Sequence, residues 1–358
     1  MQVFMIEQEP LRLISYADAL NEATVIAMEN DPNLLVMGLG VNDPKRIFGT
    51  TRGLFERFGA NRVFDFPTSE ACMMGFAVGA ATRGIPSISV HQRSDFFLLA
   101  MDQLINSAAK WRFMFGGKHT VPLVIRLICG RGWGQGPTHS QNFHAWFAQV
   151  PGLRVLEPST PSDAKGLLLA AIEDPNPVVF IEHRWLHESV GSVPKGYYTN
   201  QIGSAKVARV GSDLTIVTMS YGVPEAISAA TQLAERGVQA EVIDLRSIRP
   251  LDEQSIIESL RKTGRLLVVE PGLPVCSVGS EVISRAVSHG SIRLKVPPKL
   301  IASPNYSEPT SFGLTKHYHP RAQQILDIAC SWFALNPINL PESLLPHDVP
   351  HELFRGPF

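Results

Sequence analysis

The chain has 358 residues, and its 44% hydrophobic and 18% charged content provides enough apolar material for two globular domains. A formal net charge of −1, with basic residues scattered along the chain, argues against a nucleic-acid partner. The segment MQVFMIEQEP lacks the basic and apolar regions of a secretion signal, and no apolar run reaches the ~20 residues that a membrane helix needs. We therefore expect a soluble, cytoplasmic protein that binds neither nucleic acid nor membrane.

The four cysteines lie far apart in the sequence. Cys72, Cys129, Cys276 and Cys330 form no CxxC pair, so the sequence predicts no thiolate zinc site. A disulfide framework is also unexpected in a chain of this length. We expect four buried thiols in a reducing compartment.

Helix-like and strand-like segments alternate along the first half of the chain. The pattern predicts helices at 15–30, 71–81, 96–115 and 161–173, and strands at 34–37, 86–90, 121–127, 153–156 and 178–182. The glycine-rich stretch GRGWGQGPTHSQ, residues 130–141, is predicted to be a loop.

The alternation stops at the patternless segment 191–203 and then starts again. The second half predicts strands at 213–219, 240–244 and 265–270, and helices at 223–236, 252–262 and 278–289. Such alternation is typical of parallel sheets covered by helices, so we expect an α/β protein with two doubly wound domains. The predicted organisation is a domain at 1–190, a linker at 191–203, a domain at 204–336 and a Pro-rich arm at 337–358.

Glu70 is the carboxylate at the head of an apolar segment, FDFPTSEACMMGFAVGAATRG. Ala, Met, Phe and Val cover every face of 71–81, which predicts a buried helix. Ser69 suits the cap of that helix, and an acid in the first turn favours the positive end of the helix dipole. These residues alone favour a capping role for Glu70. Gly75 and Gly79 lie four residues apart on one side, where another backbone can approach closely.

Several common catalytic motifs are missing. The sequence contains no GxGxxG after a strand, no GxxxxGK[ST], no GxSxG and no HExxH. The usual dinucleotide and P-loop nucleotide sites are therefore not predicted.

Five longer motifs occur in a fixed order between about Tyr16 and Leu326. They are FPTSEACMMGFAVGAATRG, MDQLINSAAKWRFMFGGK, THSQNFHAWFAQVPGLRVLEPSTPSDAKGLLLAAIEDPNPVVFIEH, VIDLRSIRPLD and VVEPG. Together they resemble the β subunits of thiamine-diphosphate-dependent 2-oxo acid dehydrogenases, a family that includes the pyruvate, branched-chain and acetoin enzymes. The resemblance implies a transketolase-like pyrimidine-binding domain followed by a transketolase C-terminal-like domain. It also implies a role in decarboxylating a 2-oxo acid and transferring the acyl group.

The resemblance implies roles for four residues. In this family the carboxylate at the position of Glu70 hydrogen-bonds N1′ of the cofactor's aminopyrimidine and exchanges a proton with it. Phe96 matches the aromatic residue that stacks on the aminopyrimidine, and Gln92 is expected to lie beside the cofactor. His139 matches an active-site histidine that faces the substrate. Judged without the resemblance, Phe96 is more simply a core residue and His139 a surface histidine.

A monovalent cation site is a further implication of the resemblance. Family members bind potassium, mostly through backbone oxygens, at the positions of Leu123, Ala171, Ile172, Asp174 and Asn176. Backbone ligands leave almost no pattern in a sequence, and the alternative is that residues 174–177 are only a turn that ends a helix.

The sequence departs from the family in two places. The family's Gly-Glu-Asp/Glu-Val pattern after the first strand reads Gly38-Leu39-Gly40-Val41 here, which removes an acidic pair. The mostly apolar segment before the family's aromatic residue reads VHQRSDFF. We expect these changes to mark a larger or more polar substrate than pyruvate.

Three basic residues are candidates for contact with that substrate. His91 lies near the expected cofactor cleft, and the guanidinium groups of Arg93 and Arg131 could each pair with a carboxylate or phosphate. The alternative, given equal weight, is that both arginines are exposed or pair with Asp95 or Asp102.

The sequence also lacks the GDG motif through which thiamine enzymes hold magnesium and the diphosphate. The resemblance therefore implies a partner α subunit that holds most of this half of the site, in an α2β2 heterotetramer. It further implies possible docking to a lipoyl acyltransferase core. Two alternatives stay open: half of a split transketolase-like enzyme that transfers ketol units, or a non-catalytic structural paralogue.

Overall fold

The computed structural model of the chain describes residues 12–43, 47–132, 135–315 and 317–341. The elements of the first half are β1 (Leu13–Ser15), α1 (Tyr16–Asn30), β2 (Leu35–Gly38), α2 (Leu54–Phe58), β3 (Val63–Asp65), α3 (Glu70–Thr82), β4 (Ser87–His91), α4 (Ser94–Phe97), α5 (Ala109–Met114), β5 (Leu123–Cys129), α6 (His144–Ala148), β6 (Arg154–Leu156), α7 (Pro161–Glu173), β7 (Val178–His183) and β8 (Val190–Ser192). The elements of the second half are β9 (Lys206–Arg209), β10 (Leu214–Thr218), α8 (Gly222–Ala234), β11 (Ala240–Asp244), β12 (Ser247–Arg249), α9 (Glu253–Thr263), β13 (Leu266–Glu270), α10 (Val278–Ser288), β14 (Lys299–Ala302) and α11 (Ala322–Phe333).

Two mainly parallel sheets organise the described residues. One sheet has the strand order β12-β6-β7-β5-β4-β2-β3, and only its β12–β6 pair is antiparallel. The other has the order β14-β13-β10-β11-β9, and only its β11–β9 pair is antiparallel. Central strands such as β5 and β7 are buried on both faces, as parallel sheets covered by helices require. The predicted α/β fold is confirmed.

β12 comes from the second half of the chain but belongs to the sheet of the first half. Ser247 pairs with Leu156 and Arg249 pairs with Val155. This three-residue strand was not predicted, because its sequence lies between a longer strand and a helix and is too short to show a period of its own. The backbone pairing ties the two halves of the molecule together.

Helix ends follow local capping chemistry. The Ser15 side chain accepts a hydrogen bond of 3.0 Å from the backbone N–H of Asp18 at the start of α1. Thr160 caps α7 in the same way, and Pro161 occupies its first turn, where a missing N–H costs nothing. The predicted helices at 15–30 and 161–173 therefore match α1 and α7 closely.

The predicted single helix at 96–115 is wrong in detail. The chain passes through α4, a 3₁₀ turn at Leu98–Ala100, a π-helical turn at Gln103–Ala108 and then α5. Ala100, Leu104 and Ala108 are all buried at four-residue spacing. In a regular α-helix, residues four positions apart differ by about 40° in direction around the helix axis, so a series at this spacing gradually leaves the buried face. The π-helical turn has more residues per turn and keeps the series on that face.

The four cysteines are free thiols, as expected, but the prediction that all are buried is wrong. Cys72 is exposed on the outer side of α3, and Cys276 is exposed in the loop that precedes α10. Of the predicted Pro-rich arm, only residues up to 341 lie within the described parts of the chain. There Ile338 and Leu340 pack against the core that contains α11. No helix in the described parts of the chain combines the length and apolar character needed to cross a membrane.

A buried ion cluster joins the two halves of the chain. His144 Nδ1 lies 2.9 Å from Glu157 Oε2, and its Nε2 lies against Glu270 Oε1 at the end of β13. Asn142 donates to Glu157 at 3.0 Å, and the N–H of Gly279 donates to Glu270 at 2.8 Å. Burial lowers the pKa of His144, but the two carboxylates outweigh that effect and raise the pKa to about 10. This histidine therefore has a structural role, since both ring nitrogens are held by buried carboxylates.

We expect this cluster to make stability depend on pH in the alkaline range. The pKa of His144 is higher in the folded chain than its ordinary value of 6.5, so its contribution is complete below about pH 6.5 and disappears as the pH rises towards 10. Thermal unfolding midpoints measured from about pH 7 to 9.5 should fall more steeply for the wild type than for His144→Gln. His289→Gln, which replaces a half-buried histidine that has no carboxylate partner among the described residues, is the control and should keep the wild-type slope. Equal slopes in all three proteins would contradict the assignment.

Candidate active site

The loops that follow β2, β4 and β5 meet at one edge of the seven-stranded sheet. The chain leaves β2 for β3 on one side and returns to β4 on the other, so the strand order reverses between β2 and β4. In open parallel sheets, ligands bind in the crevice beyond the carboxyl ends of the strands at such a point. Glu70 follows β3, Gln92 and Phe96 follow β4, and His139 follows β5. The topology therefore brings all four predicted cofactor and catalytic residues to this edge.

A cavity of about 260 Å³ opens at the same edge of the sheet. Four predicted residues line it: Gln92, Phe96 and His139, which were expected at the cofactor or the substrate, and Arg93, a substrate candidate. Its remaining lining residues were not predicted, and they are Asp43, Ile47, Phe48 and Gln135. The lining combines two aromatic rings with several polar donors and acceptors, which is typical of small-molecule sites.

Glu70 is the first residue of α3 and is only 6% exposed. Within the described ranges, no hydrogen bond or ion pair involves its carboxylate. Ser69 occupies the cap position without making the expected side-chain hydrogen bond. A buried carboxylate without a partner costs free energy unless a ligand or a second chain satisfies it, so a capping role does not account for Glu70. Glu70 does not itself line the 260 Å³ cavity.

Phe96 and His139 pack against each other in the lining of the cavity. Their ring centroids are 5.1 Å apart and the rings are nearly perpendicular, at 86°. His139 Nδ1 lies 2.9 Å from the Thr138 hydroxyl, which leaves Nε2 for a ligand. Phe97, the next residue in the sequence, is instead fully buried against Phe147. The structure therefore separates the two adjacent phenylalanines into one cavity residue and one core residue.

Gly40 occupies the position where the family carries the second acid of its pair. Its φ of +84° is strained for other residues, and an added Cβ would lie 2.7 Å from both Asp43 Oδ2 and Gln92 Nε2. The Asp65 carboxylate holds the same loop by accepting a hydrogen bond of 2.6 Å from the Val41 N–H. The space beside Gly40 is thus filled by a carboxylate and an amide from neighbouring positions.

Arg93 is 3% exposed and has neutral hydrogen-bond acceptors. Its Nη1 donates to the Gly130 carbonyl at 2.8 Å, and its Nη2 donates to Gln135 Oε1. The guanidinium also lies over the Phe48 ring, 5.6 Å from its centroid. Burial lowers the pKa of Arg93 to about 10, against the opposing effect of Asp95. Neither Asp95 nor Asp102 forms an ion pair with it, so the predicted alternative pairing is not observed.

The structure does not bring His91 or Arg131 to the cavity. The His91 ring packs on Phe97 at a centroid distance of 4.8 Å and lies 2.9 Å from the Ser89 hydroxyl, and burial lowers its pKa to about 3. Arg131 donates to the carbonyls of Pro309 and Thr310, each at 3.0 Å. Its Nε also lies 3.6 Å from Glu308 Oε1.

Neither residue lines the cavity, so these contacts give no support to their predicted substrate roles. His91 ends a strand buried on both faces, so its ring enters the core. Arg131 fastens the loop after β5 to the second half of the chain. Its partners are more than 170 positions away, so no local pattern predicts them.

The predicted cation residues do gather at the end of α7. Leu123 starts β5, whose next residue, Val124, pairs with Val178 just beyond the 174–177 turn. The Asp174 side chain accepts from Arg154 at 3.1 Å and from the Asn176 N–H at 2.8 Å. Among the described residues, no group of three His, Cys, Asp or Glu side chains is arranged to hold a metal ion.

A larger cleft of about 1,100 Å³ lies between α6, β12 and the start of α10. Of the predicted site residues, only Asn176 lines it. Size alone therefore does not locate the chemistry. The smaller cavity is the better candidate for the active site, because it lies where the strand order reverses and is lined by Phe96 and His139.

Comparison with known families supports the fold and its domain order. The transketolase pyrimidine binding domain family matches residues 12–188, and the transketolase C-terminal domain family matches residues 203–325.

Curated relatives align over most of the chain. It is 41% identical over 329 residues to the β subunit of acetoin:2,6-dichlorophenolindophenol oxidoreductase of Bacillus subtilis, with 88% of this chain and 96% of that protein covered. It is 42% identical over 313 residues to the pyruvate dehydrogenase E1 component β-1 subunit, mitochondrial, of Arabidopsis thaliana, with 86% of each chain covered. It is 40% identical over 296 residues to the 2-oxoisovalerate dehydrogenase β subunit of Bacillus subtilis, with 82% and 90% covered.

Solved structures share the fold at lower identity. A split gene transketolase, described as an inactive beta4 tetramer, superposes with a TM-score of 0.71 at 21% identity and covers 90% of this chain and 99% of its own. A transketolase mutant from Pichia stipitis gives a TM-score of 0.63 at 16% identity and covers 92% of this chain and 49% of its own. Likeness at this level concerns the fold alone.

Proposed function

The chain belongs to the β subunits of the E1 components of 2-oxo acid dehydrogenases, and on that premise we propose that its cavity binds the aminopyrimidine half of thiamine diphosphate. The protein is accordingly a subunit of a thiamine-dependent oxidoreductase of the decarboxylating type. The single observation that carries the proposal is Glu70, whose buried carboxylate has no partner within the described ranges and heads a helix at the ligand-binding edge of the sheet.

Each proposed residue has a specific task toward the cofactor or the substrate. Glu70 holds and exchanges a proton at N1′ of the aminopyrimidine. Phe96 provides an apolar face for that ring, and Gln92 supplies an amide beside it. His139, with Nε2 unengaged by Thr138, donates or accepts a proton at the substrate. When bound, thiamine diphosphate supplies the carbon nucleophile and the electron sink that the protein's own side chains lack.

The diphosphate half of the site is proposed to come from another chain. The sequence has no GDG motif, and the described residues include no cluster of metal-binding side chains. An α subunit would therefore hold magnesium and the diphosphate, and we propose an α2β2 assembly. Docking of that assembly to a lipoyl acyltransferase core would provide the acyl acceptor.

A potassium site at the end of α7 is part of the proposal. Pro175 has no N–H to donate to the Ala171 carbonyl, and the Asn176 N–H is used by Asp174. The carbonyls of Ala171 and Ile172 thus lie at the negative end of the helix without their usual helical donors. Together with Leu123, Asp174 and Asn176, they present oxygen ligands of the kind that alkali cations accept.

The test is a calorimetric titration of thiamine diphosphate and magnesium into two samples. One sample is this chain alone and the other is this chain co-expressed with its α-type partner. We expect binding only in the second sample, followed by release of carbon dioxide from a 2-oxo acid. Absence of binding in both samples would overturn the proposal and favour the non-catalytic paralogue.

We expect the exposed face of α3, which carries Phe76 and Gly79, to be a contact with another subunit. Phe76 is 45% exposed on this face, and a Cβ added at Gly79 would meet nothing within 4 Å in the described chain. Gly79→Leu should therefore fold normally as a single chain but prevent assembly with the partner, as measured by analytical ultracentrifugation of the co-expressed proteins. Gly290→Leu, at another open glycine, should assemble like the wild type. Normal assembly of Gly79→Leu would rule out a close contact here.

The split-transketolase alternative is not favoured. The relatives that are about 40% identical are β subunits of acetoin, pyruvate and 2-oxoisovalerate enzymes, whereas the split gene transketolase is only 21% identical. Product analysis separates the two functions, because a ketol transferase moves a two-carbon unit and releases no carbon dioxide.

A further inference from the structure

Arg93 provides a buried positive charge on the wall of the cavity. Its two hydrogen bonds go to the Gly130 carbonyl and the Gln135 amide oxygen, and both acceptors are neutral. Within the described parts of the chain, it forms no ion pair with a carboxylate. A buried charge without an opposite charge is costly, whereas the same charge paired with a ligand anion is stabilised.

The neighbouring acids Asp95 and Glu308 do not form an ion pair with Arg93. Asp95 acts on Arg93 only through space, since its Oδ1 accepts the Gln141 side-chain amide at 2.8 Å. Glu308 also acts through space and lies 3.6 Å from Arg131. A third acid, Asp43, lines the same cavity. Within the described parts of the chain, none of these three carboxylates pairs with Arg93, so the protein offsets its charge only through space.

A second cation adds to this potential behind Phe48. The Arg184 guanidinium lies 4.0 Å from the Phe48 ring centroid, and Arg93 lies 5.6 Å from the same centroid. Burial lowers the pKa of Arg184 to about 10, with a further contribution from Arg93. Both groups remain charged at neutral pH, so an anion near Phe48 would be attracted by two guanidinium groups.

Gln135 is oriented by its contacts with Arg93 and the loop. Its Oε1 accepts from Arg93 Nη2 and, at 2.7 Å, from the Gly132 N–H. Because both donors require the oxygen, this network fixes which end of the Gln135 amide is the acceptor and leaves its N–H₂ group as a donor, and Gln135 lines the cavity. Arg93 and Gln135 thus form one unit of rigid donors, which we call the Arg93–Gln135 pair.

We propose that the Arg93–Gln135 pair binds a second carboxylate of the substrate, so that the enzyme acts on dicarboxylic 2-oxo acids. This inference rests on the proposed function. The carboxylate next to the oxo group loses its charge as carbon dioxide leaves, and a cation bound to it would stabilise the ground state more than the transition state. A carboxylate that persists through the reaction is the better partner for a fixed guanidinium, which can pair with it bidentately.

The test compares two unreactive probes, glutarate and valerate, on the cofactor-loaded complex of this chain with its α partner. The probes have the same chain length and differ by a terminal carboxylate in place of a methyl group. Calorimetry should show that the wild type prefers glutarate. Arg93→Gln should reduce that preference by about 10- to 100-fold while changing valerate binding little.

Two further variants control the experiment. Arg93→Lys keeps the charge without the planar fork and should retain part of the preference. Arg261→Gln removes an exposed guanidinium on α9 and should behave like the wild type. Thermal unfolding of each complex separates loss of binding from loss of folding.

Two results would overturn the inference: no glutarate preference in the wild type, or an unchanged preference in Arg93→Gln. If the preference is unchanged because both probes bind more weakly by the same factor, Arg93 is assigned to the reacting carboxylate. Failure of the proposed function looks different. In that case the complex would turn over neither 2-oxoglutarate nor 2-oxovalerate, whereas the glutarate preference and its loss in Arg93→Gln would still decide whether the Arg93–Gln135 pair binds a carboxylate.

Discussion

Glu70→Gln should lower turnover by the assembled complex by about 10²–10⁴-fold, the range expected when a positioned proton-transfer group is removed. Glutamine fills the same space at the head of α3 and can still make a hydrogen bond. It cannot gain and lose a proton in the relevant pH range. The defect should therefore appear mainly in kcat, measured as carbon dioxide release at saturating cofactor.

Structural damage cannot account for such a loss. Glu70 has no hydrogen-bond or ion-pair partner within the described ranges, so the folded chain loses only the interaction with the helix dipole, about 0.3–1 kcal/mol. The thermal unfolding midpoint should consequently change little. Glu258→Gln, which neutralises an exposed glutamate on α9, should keep full activity. Retention of more than about a tenth of the activity in Glu70→Gln would contradict the assigned proton-transfer role.

The place of Glu70 illustrates what the sequence can predict. The apolar run after Glu70 correctly predicted a helix, α3, but not its burial, because one face of α3 with Phe76 is exposed in the single chain. The resemblance, rather than the run itself, made Glu70 a candidate catalytic residue. The strand alternation then placed Gln92, Phe96 and His139 beyond parallel strands. Parallel strands share one carboxyl edge, so agreement between pattern and topology was expected for these residues.

The remainder of the site depends on contacts that local patterns do not contain. Every residue of β4 is buried, so the strand shows no alternation of polar and apolar residues. The sequence therefore cannot predict which face of the sheet the His91 side chain occupies. Phe48 lines the cavity from a loop in which its φ is +59°. Phenylalanine rarely adopts a positive φ, so the sequence does not predict this conformation. Gln135 was overlooked in a glycine-rich loop because its role comes from Arg93, 42 positions earlier. Tertiary contacts, rather than local propensity, fix these three side chains.

The buried pair of Arg126 and Glu182 should have the largest effect on stability. Arg126 Nε donates to Glu182 Oε1 at 2.5 Å and Nη2 donates to Oε2 at 2.9 Å, with both side chains 0% exposed. These residues join β5 and β7, the central strands whose ends carry Gly130 and His183. Burial raises the pKa of Glu182, but Arg126 and His187 outweigh it and lower the pKa overall. Its contribution is therefore present above the ordinary carboxyl pKa and is lost as the pH falls through the lowered value.

Glu182→Gln should destabilise the chain by about 3–5 kcal/mol at neutral pH, because it leaves the Arg126 charge buried without a counter-charge. Nη1 of Arg126 already has no hydrogen-bond partner among the described residues, which indicates that no other acceptor lies near enough to replace the Glu182 carboxylate. The double variant Arg126→Met, Glu182→Leu removes both charges and should recover most of that loss, since apolar side chains of similar volume replace an ion pair at little cost. Chemical denaturation of the three proteins measures the difference. A double variant as unstable as Glu182→Gln would mean that the pair's geometry, rather than its charge balance, holds the two strands together and shapes the loops of the active site.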